Sequence, residues 1–148
     1  VFNLYELSQE IVFNIDEWSK IISDASAVIY QFPFYWMSAP SLLKKWQDEV
    51  FTFLSKTPAV AGKPLTVVTT TGSEYEAYRS GGRNRFTTDE LLRPYQVNAI
   101  HSGMSWQPPI VVYGMGTADA GKNIAEGANL YKQRVEMLIG NSNAGNNW

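Results

Sequence analysis

The segment Pro33-Phe34-Tyr35-Trp36-Met37 places aromatic side chains at three consecutive positions in what reads as a loop between a strand and a helix. Such a loop offers flat faces to an apolar ligand with a polar edge, and backbone N–H groups free to read that edge. The same residues equally suit packing beneath neighbouring helices, and residue types alone leave the two readings level. A second segment, Thr70-Thr71-Gly72, ends a β-branched run. Gly72 permits a close backbone approach, and the N–H groups around it could bind a carbonyl or anionic edge. Alone, it is more simply a Thr/Gly turn. Beside the aromatic loop, at a neighbouring carboxyl end of one sheet, the ligand reading gains. Other chemistry is excluded by count. With no cysteine there is no disulfide, thiolate metal site or thiol nucleophile, and one histidine cannot build a multi-His cluster. That histidine, His101, has no acidic or serine partner at motif spacing and reads as packing or solvated. Gly114-Met115-Gly116 suggests a dinucleotide fingerprint and fails it, since Asp119 stands where glycine is needed.

The elements that position these segments follow from periodicity. Ala27–Phe32 is a continuous apolar, β-branched and aromatic run, expected to be a strand covered on both faces. Phe32-Pro33 ends the ladder, and Ser38 with Pro40 supplies a helix start. Leu42, Leu43, Trp46, Val50 and Leu54 then recur at helical spacing, with Lys44, Lys45, Gln47 and Asp48 opposite. The aromatic loop thus sits at the carboxyl end of a strand, where open α/β sheets bind ligands. Val1–Leu4 reads as a short strand and Asp16–Ser23 as a helix capped by Asp16. Leu65–Thr70 is the next strand. Thr88–Gly103 is a helix opened by Thr87 or Thr88 and kinked near Pro94. Met104 and Trp106 suit a pocket edge, a dimer seam or plain core. Pro108–Met115 is the last strand and Asn123–Ile139 the last helix, with an apolar stripe of Ile124, Ala128, Tyr131, Val135 and Leu138. Gly140–Trp148 is an Asn- and Gly-rich tail. The alternation implies an α/β fold with a parallel sheet and right-handed crossovers. A chain of 148 residues, 45% hydrophobic, suits one domain, here 1–140 with a tail 141–148. A net charge of −2 without a basic stripe argues against nucleic acid as main partner. The absence of a membrane-length apolar run or signal-peptide pattern makes cytoplasmic localisation the expectation.

QFPFYWMSAPSLLKKWQDEVF, with Thr70-Thr71-Gly72, Leu91-Leu92-Arg93-Pro94, Gly103-Met104, Trp106, Pro108-Pro109 and Tyr131-Lys132-Gln133-Arg134, resembles the flavodoxin-like NAD(P)H:quinone oxidoreductases. That family includes DT-diaphorase and the ancillary oxidoreductases of bacterial potassium-efflux systems. The resemblance spans nearly the whole chain in the family's order. It implies a flavodoxin-like three-layer sandwich with strand order 2-1-3-4-5, FMN as cofactor (FAD the alternative), and NAD(P)H as co-substrate. It further implies a homodimer and ping-pong hydride transfer through the flavin to a quinone. Pro33, Phe34, Tyr35, Trp36 and Met37 would wrap the isoalloxazine edge, and Thr70, Thr71 and Gly72 would hold its pyrimidine end. Tyr78 lies where the family places a tyrosine beside flavin and substrate, so its phenol could donate to a developing oxyanion. Asn84 stands where DT-diaphorase has a histidine. Asparagine cannot shuttle a proton, so it either donates a hydrogen bond or shapes the Gly81-Gly82 loop. Arg79, Arg83 and Arg85 suit a solvated loop or the 2′-phosphate of NADPH. The alternative the family offers is a flavin-binding regulatory subunit docked on a membrane potassium-efflux transporter. A third reading is that the polypeptide binds no flavin. Leu4-Tyr5 matches the end of the family's second strand, so its first strand and phosphate loop would fall in an upstream segment of roughly 25–45 residues. The short Phe53–Pro58 stretch stands where the family has a longer lid loop.

Overall fold

The computed structural model describes residues 2–4 and 12–143, the side chains of 141–143 excepted. Helix and strand alternate through them. The order is α1 (Ile15–Asp24), β1 (Val28–Pro33), α2 (Ser41–Trp46), a π-helical stretch (Gln47–Phe51) running into α3 (Thr52–Leu54), then β2 (Pro64–Thr70) and a 3-10 turn (Tyr75–Tyr78). It continues through α4 (Thr88–Leu91), α5 (Arg93–His101), β3 (Ser105–Trp106), β4 (Ile110–Val112) and α6 (Ala120–Asn143). All strand pairing is parallel, with β2 central. β1 runs along one edge of it from Val28 opposite Leu65 to Pro33 opposite Thr70. β3 and β4 share the other edge, with Ser105 opposite Pro64 and Val112 opposite Thr70. The break between them falls at Pro108-Pro109, which have no N–H to give a ladder. The strand expected over Pro108–Met115 is therefore shorter, and Trp106 is a strand residue opposite Leu65.

Helices lie on both faces of the sheet. Val28, Tyr30 and Phe32 are buried on one face, where the Tyr30 ring meets Trp46 at 5.9 Å, Phe51 at 6.5 Å and Tyr95 at 6.2 Å. On the other face α6 approaches β4 so closely that a Cβ on Gly127 would stand 2.3 Å from Val112 Cγ2. Burial of β1 alternates: Gln31 and Pro33 are exposed, so the strand is not covered on both faces as its composition suggests. Gln31 and Pro33 instead line a cleft of about 1150 Å³, and no strand among the described residues pairs with the outer edge of β1. Ile124, Ala128, Tyr131 and Val135 of the α6 stripe line that cleft, while Leu138 is buried.

Several boundaries shift for local reasons. α1 is capped by Asn14, whose Oδ1 accepts from the N–H groups of Asp16 at 3.0 Å and Glu17 at 3.2 Å. Asp16 therefore sits in the first turn, where its charge favours the helix dipole, and is not the cap. Pro40, not Ser38, occupies the position before α2. The helix expected over Thr88–Gly103 breaks at Leu92, just ahead of Arg93-Pro94, and Thr87 opens its first part in a reciprocal box with Glu90. α6 continues past Ile139 to Asn143, so the expected tail begins later; 144–148 lie outside the described residues, as does Tyr5. Phe2 and Asn3 are not in a strand and Leu4 is helical, so the described part of Val1–Leu4 forms no strand.

Candidate functional site

Parallel register sets the carboxyl ends of β1, β2 and β4 side by side, since Thr70 faces both Pro33 and Val112. Three loops therefore converge at one rim. In the first, Phe34 N–H donates to Thr70 O at 2.9 Å, and Tyr35 and Ser38 exchange N–H···O bonds of 2.8 and 3.0 Å. Between them Trp36 (φ 49°) and Met37 (φ 62°) are both left-handed, which makes Tyr35–Ser38 a type I′ turn. Asn and Gly normally fill such a turn. A larger L-residue costs roughly 1–2 kcal/mol at each position. Packing does not offset that here, because Trp36 is 99% exposed and Tyr35 and Met37 are exposed with it. Phe34 alone turns inward, parallel to Phe32 and edge-on to Tyr78 at 6.3 Å. The aromatic loop thus divides: Phe34 packs, and the next three residues face outward. The Tyr95 hydroxyl holds the turn from behind, accepting from Ala39 N–H at 3.2 Å and lying 3.4 Å from the Ser38 hydroxyl.

The second loop leaves β2. Thr70 gives its carbonyl to Phe34 N–H. Thr71 is buried; its N–H donates to Val112 O at 2.9 Å and its hydroxyl to Ser73 O at 2.8 Å, so its polar atoms build the turn. Gly72 is exposed, and a Cβ there would meet nothing within 4 Å. Among the described residues, the N–H groups of Trp36, Met37, Gly72 and Ser73 donate no hydrogen bond. Pro33 lies exposed at the end of β1. A flavin ring suits this arrangement: open space over Gly72, unclaimed N–H donors for the polar ring edge, and aromatic faces at Trp36 and Tyr35.

Tyr78 is buried as a ring, against Phe34 and against Tyr113 at 5.8 Å. Its hydroxyl has no partner among the described residues and is not sealed from solvent, so it is a free donor at the surface of the site. Asn84 closes its loop through a backbone bond to Ala77 O at 3.0 Å, while its side-chain amide nitrogen is buried without a partner. His101 is exposed at the end of α5. Tyr113 is the residue that sequence reasoning overlooked. Its ring lies edge-on to Tyr75 at 5.3 Å and its hydroxyl is 2.7 Å from that of Thr88. Burial pushes its phenol above the usual value, and the hydrogen bond to Thr88 pulls it partly back. The available signal was a tyrosine directly after the apolar run of the last strand and just before Gly114. Among the described residues no His/Asp/Glu group could hold a metal, and no helix is long and apolar enough to cross a membrane.

Comparison with known proteins points the same way. Residues 2–135 match the family described as having the flavodoxin-like fold. General stress protein 14 of Bacillus subtilis is 36% identical over 141 residues, covering 93% of this chain and 80% of that protein. The glutathione-regulated potassium-efflux system ancillary protein KefG of Pectobacterium atrosepticum is 35% identical over 117 residues, covering 76% of this chain and 64% of KefG. Among solved structures, general stress protein 14 of Treponema denticola in complex with FMN superposes with a TM-score of 0.82 at 27% identity, covering 91% of this chain and 79% of that one. An NADPH-quinone reductase from P. pentosaceus gives a TM-score of 0.67 at 28% identity, over 93% and 77% of the two chains.

Proposed function

The chain belongs to the family with the flavodoxin-like fold, and from that premise we propose that it is an FMN-dependent NAD(P)H:quinone oxidoreductase. The observation that carries the reading is the strained Tyr35–Ser38 turn, whose two central N–H groups are unclaimed beside the open backbone of Gly72. Strain of this kind persists where the surroundings over-determine it, and it clusters at ligand clamps. When bound, FMN would supply the redox chemistry, ping-pong two-electron transfer between NAD(P)H and a quinone. The chain's own residues do the rest. Trp36 and Met37 N–H bind the polar ring edge; Gly72 and Ser73 N–H hold the end where negative charge collects on reduction. Trp36 and Tyr35 cover ring faces and keep water off them. Tyr78 donates from its hydroxyl to the developing oxyanion of the acceptor. Asn84 offers its unpartnered amide N–H to the same region, and with no proton to give it is a hydrogen-bond donor only. Tyr35, Trp36, Tyr75 and Phe86 leave a broad apolar rim exposed around the site, which supports a homodimer that buries it.

The test is a visible spectrum of purified protein supplied with FMN, before and after anaerobic NADPH. Flavin bands that bleach with nucleotide and return with a quinone support both half-reactions; a protein that takes up no FMN refutes the reading. The similarity to KefG favours a second reading, a flavin-binding subunit docked on a membrane potassium-efflux transporter. Co-purification with that transporter and no quinone turnover would select it.

A further inference from the structure

We propose that the Ser73–Arg85 segment is a docking point for the 2′-phosphate of the dinucleotide, so that NADPH rather than NADH is the hydride donor; this rests on the redox reading above. The segment leaves the carboxyl end of β2 and folds back over itself. Gly82 N–H donates to Arg79 O and Asn84 N–H to Ala77 O, and a Cβ on Gly82 would stand 2.2 Å from Glu76 O. The segment carries three arginines, and the fold-back brings two of their guanidinium groups to one patch: Arg83 Nη2 donates to Ser73 Oγ, and Arg79 lies 5.4 Å above the Tyr75 ring. None of the three has a carboxylate partner among the described residues. Glu74 and Glu76, exposed in the same segment, pair with none of them.

Guanidinium forks match phosphate oxygens in geometry as well as charge, and such charge-assisted bonds are the strong ones. The half-exposed Tyr75 ring beside Arg79 gives the adenosine a surface to lie against. The segment begins next to Gly72, so a dinucleotide whose nicotinamide enters at the ring site need only extend along one loop to reach it.

The experiment is calorimetric titration of the FMN-loaded protein with adenosine 2′,5′-bisphosphate and with adenosine 5′-monophosphate. The bisphosphate should bind tighter by about tenfold or more, with a preference that shrinks as salt rises. Replacing Arg79, Arg83 and Arg85 together by Gln should bring the two ligands to within about twofold. Arg83→Lys, which keeps the charge without the fork, guards against misfolding of the triple variant and should lose part of the preference. Equal affinities in the unmodified protein overturn the proposal, as does a preference that survives the triple replacement. Flavin bleaching by NADH without bisphosphate preference would overturn this inference alone. A preference in a protein whose flavin neither nucleotide bleaches would uphold the phosphate site and refute the redox reading.

Discussion

Replacing Trp36-Met37 by Asn-Gly should make the flavin-free protein more stable and its flavin binding weaker. Both residues now sit in left-handed geometry, at φ 49° and 62°. At roughly 1–2 kcal/mol each the strain sums to about 2–4 kcal/mol, most of which Asn and Gly relieve. Against that stand about 0.5–1 kcal/mol for the extra freedom of an unfolded glycine, and a similar sum for the part of Met37 that is covered. Trp36, 99% exposed, has almost no contact to lose. The net gain is about 1–2 kcal/mol, or roughly 3–6 °C in Tm for a chain of this size. Because Asn-Gly keeps the type I′ turn, its N–H groups stay in place, and only the aromatic and thioether faces go. FMN affinity should therefore fall by about tenfold rather than vanish. Thermal unfolding of flavin-free protein by far-UV circular dichroism reads the first effect, and quenching of FMN fluorescence reads the second. An unchanged or lower Tm would refute the strain argument. Higher stability with unaltered FMN affinity would confine recognition to the backbone and sink the role given to the Trp36 face.

Tyr78→Phe should leave fold and FMN uptake intact, because the ring packs and only the hydroxyl is free, yet lower quinone turnover by about a hundredfold; steady-state kinetics with a matched spectrum checks it. Gly127→Ala should destabilise by about 1–2 kcal/mol despite alanine's better helix propensity, since its Cβ would meet Val112 Cγ2 at 2.3 Å, and urea denaturation measures the cost. Glu90 is held below the usual glutamate range by the Thr87 N–H first and the Thr87 hydroxyl second. Its folded value is thus under its unfolded one, so the capping box contributes fully above the unfolded value and is lost as pH falls through the folded one. Unfolding midpoints followed from neutral to acid pH should show that loss in the wild type and a flatter profile in Glu90→Gln.

What the sequence made legible is what local chemistry decides. The Phe32-Pro33 stop, the Thr87 start and the order of strands and helices depend on proline geometry, capping side chains and periodicity, and they stand within a few residues. The cap of α1 went to Asn14 rather than Asp16 because a cap is chosen by where the backbone turns, not by which polar residue adjoins the apolar stripe. Harder to read were features made by contacts across the chain. Nothing in Trp36-Met37 announces a type I′ turn; the bonds to Thr70 and Tyr95 impose it against the residues' own preference. Tyr113 gained its place only when Thr88, Tyr75 and Tyr78 arrived from other segments.

Where the chain tolerates strain is itself informative. Trp36, Met37 and Arg85 are the non-glycine residues with left-handed φ among those described, and all three lie in loops that leave the carboxyl ends of β1 and β2. Helix ends and the other turns use glycine for such geometry, as at Gly62, Gly103 and Gly114. Had the strain been incidental, glycine would have served at these three positions as it does elsewhere. Each one also stands beside polar groups with no internal partner: the N–H groups of Trp36 and Met37 in one loop, the Asn84 amide in the other. Strain and unsatisfied donors both oppose stability, and their coincidence at one rim of the sheet is accounted for by a ligand that takes up the donors. The rigid frame behind them makes this workable. Phe34 is pinned to Thr70, Ala39 to Tyr95, and Thr71 to Val112, so the loops are held in the binding geometry before any ligand arrives. Less ordering is then left for the binding step, and more of the contact energy remains as affinity.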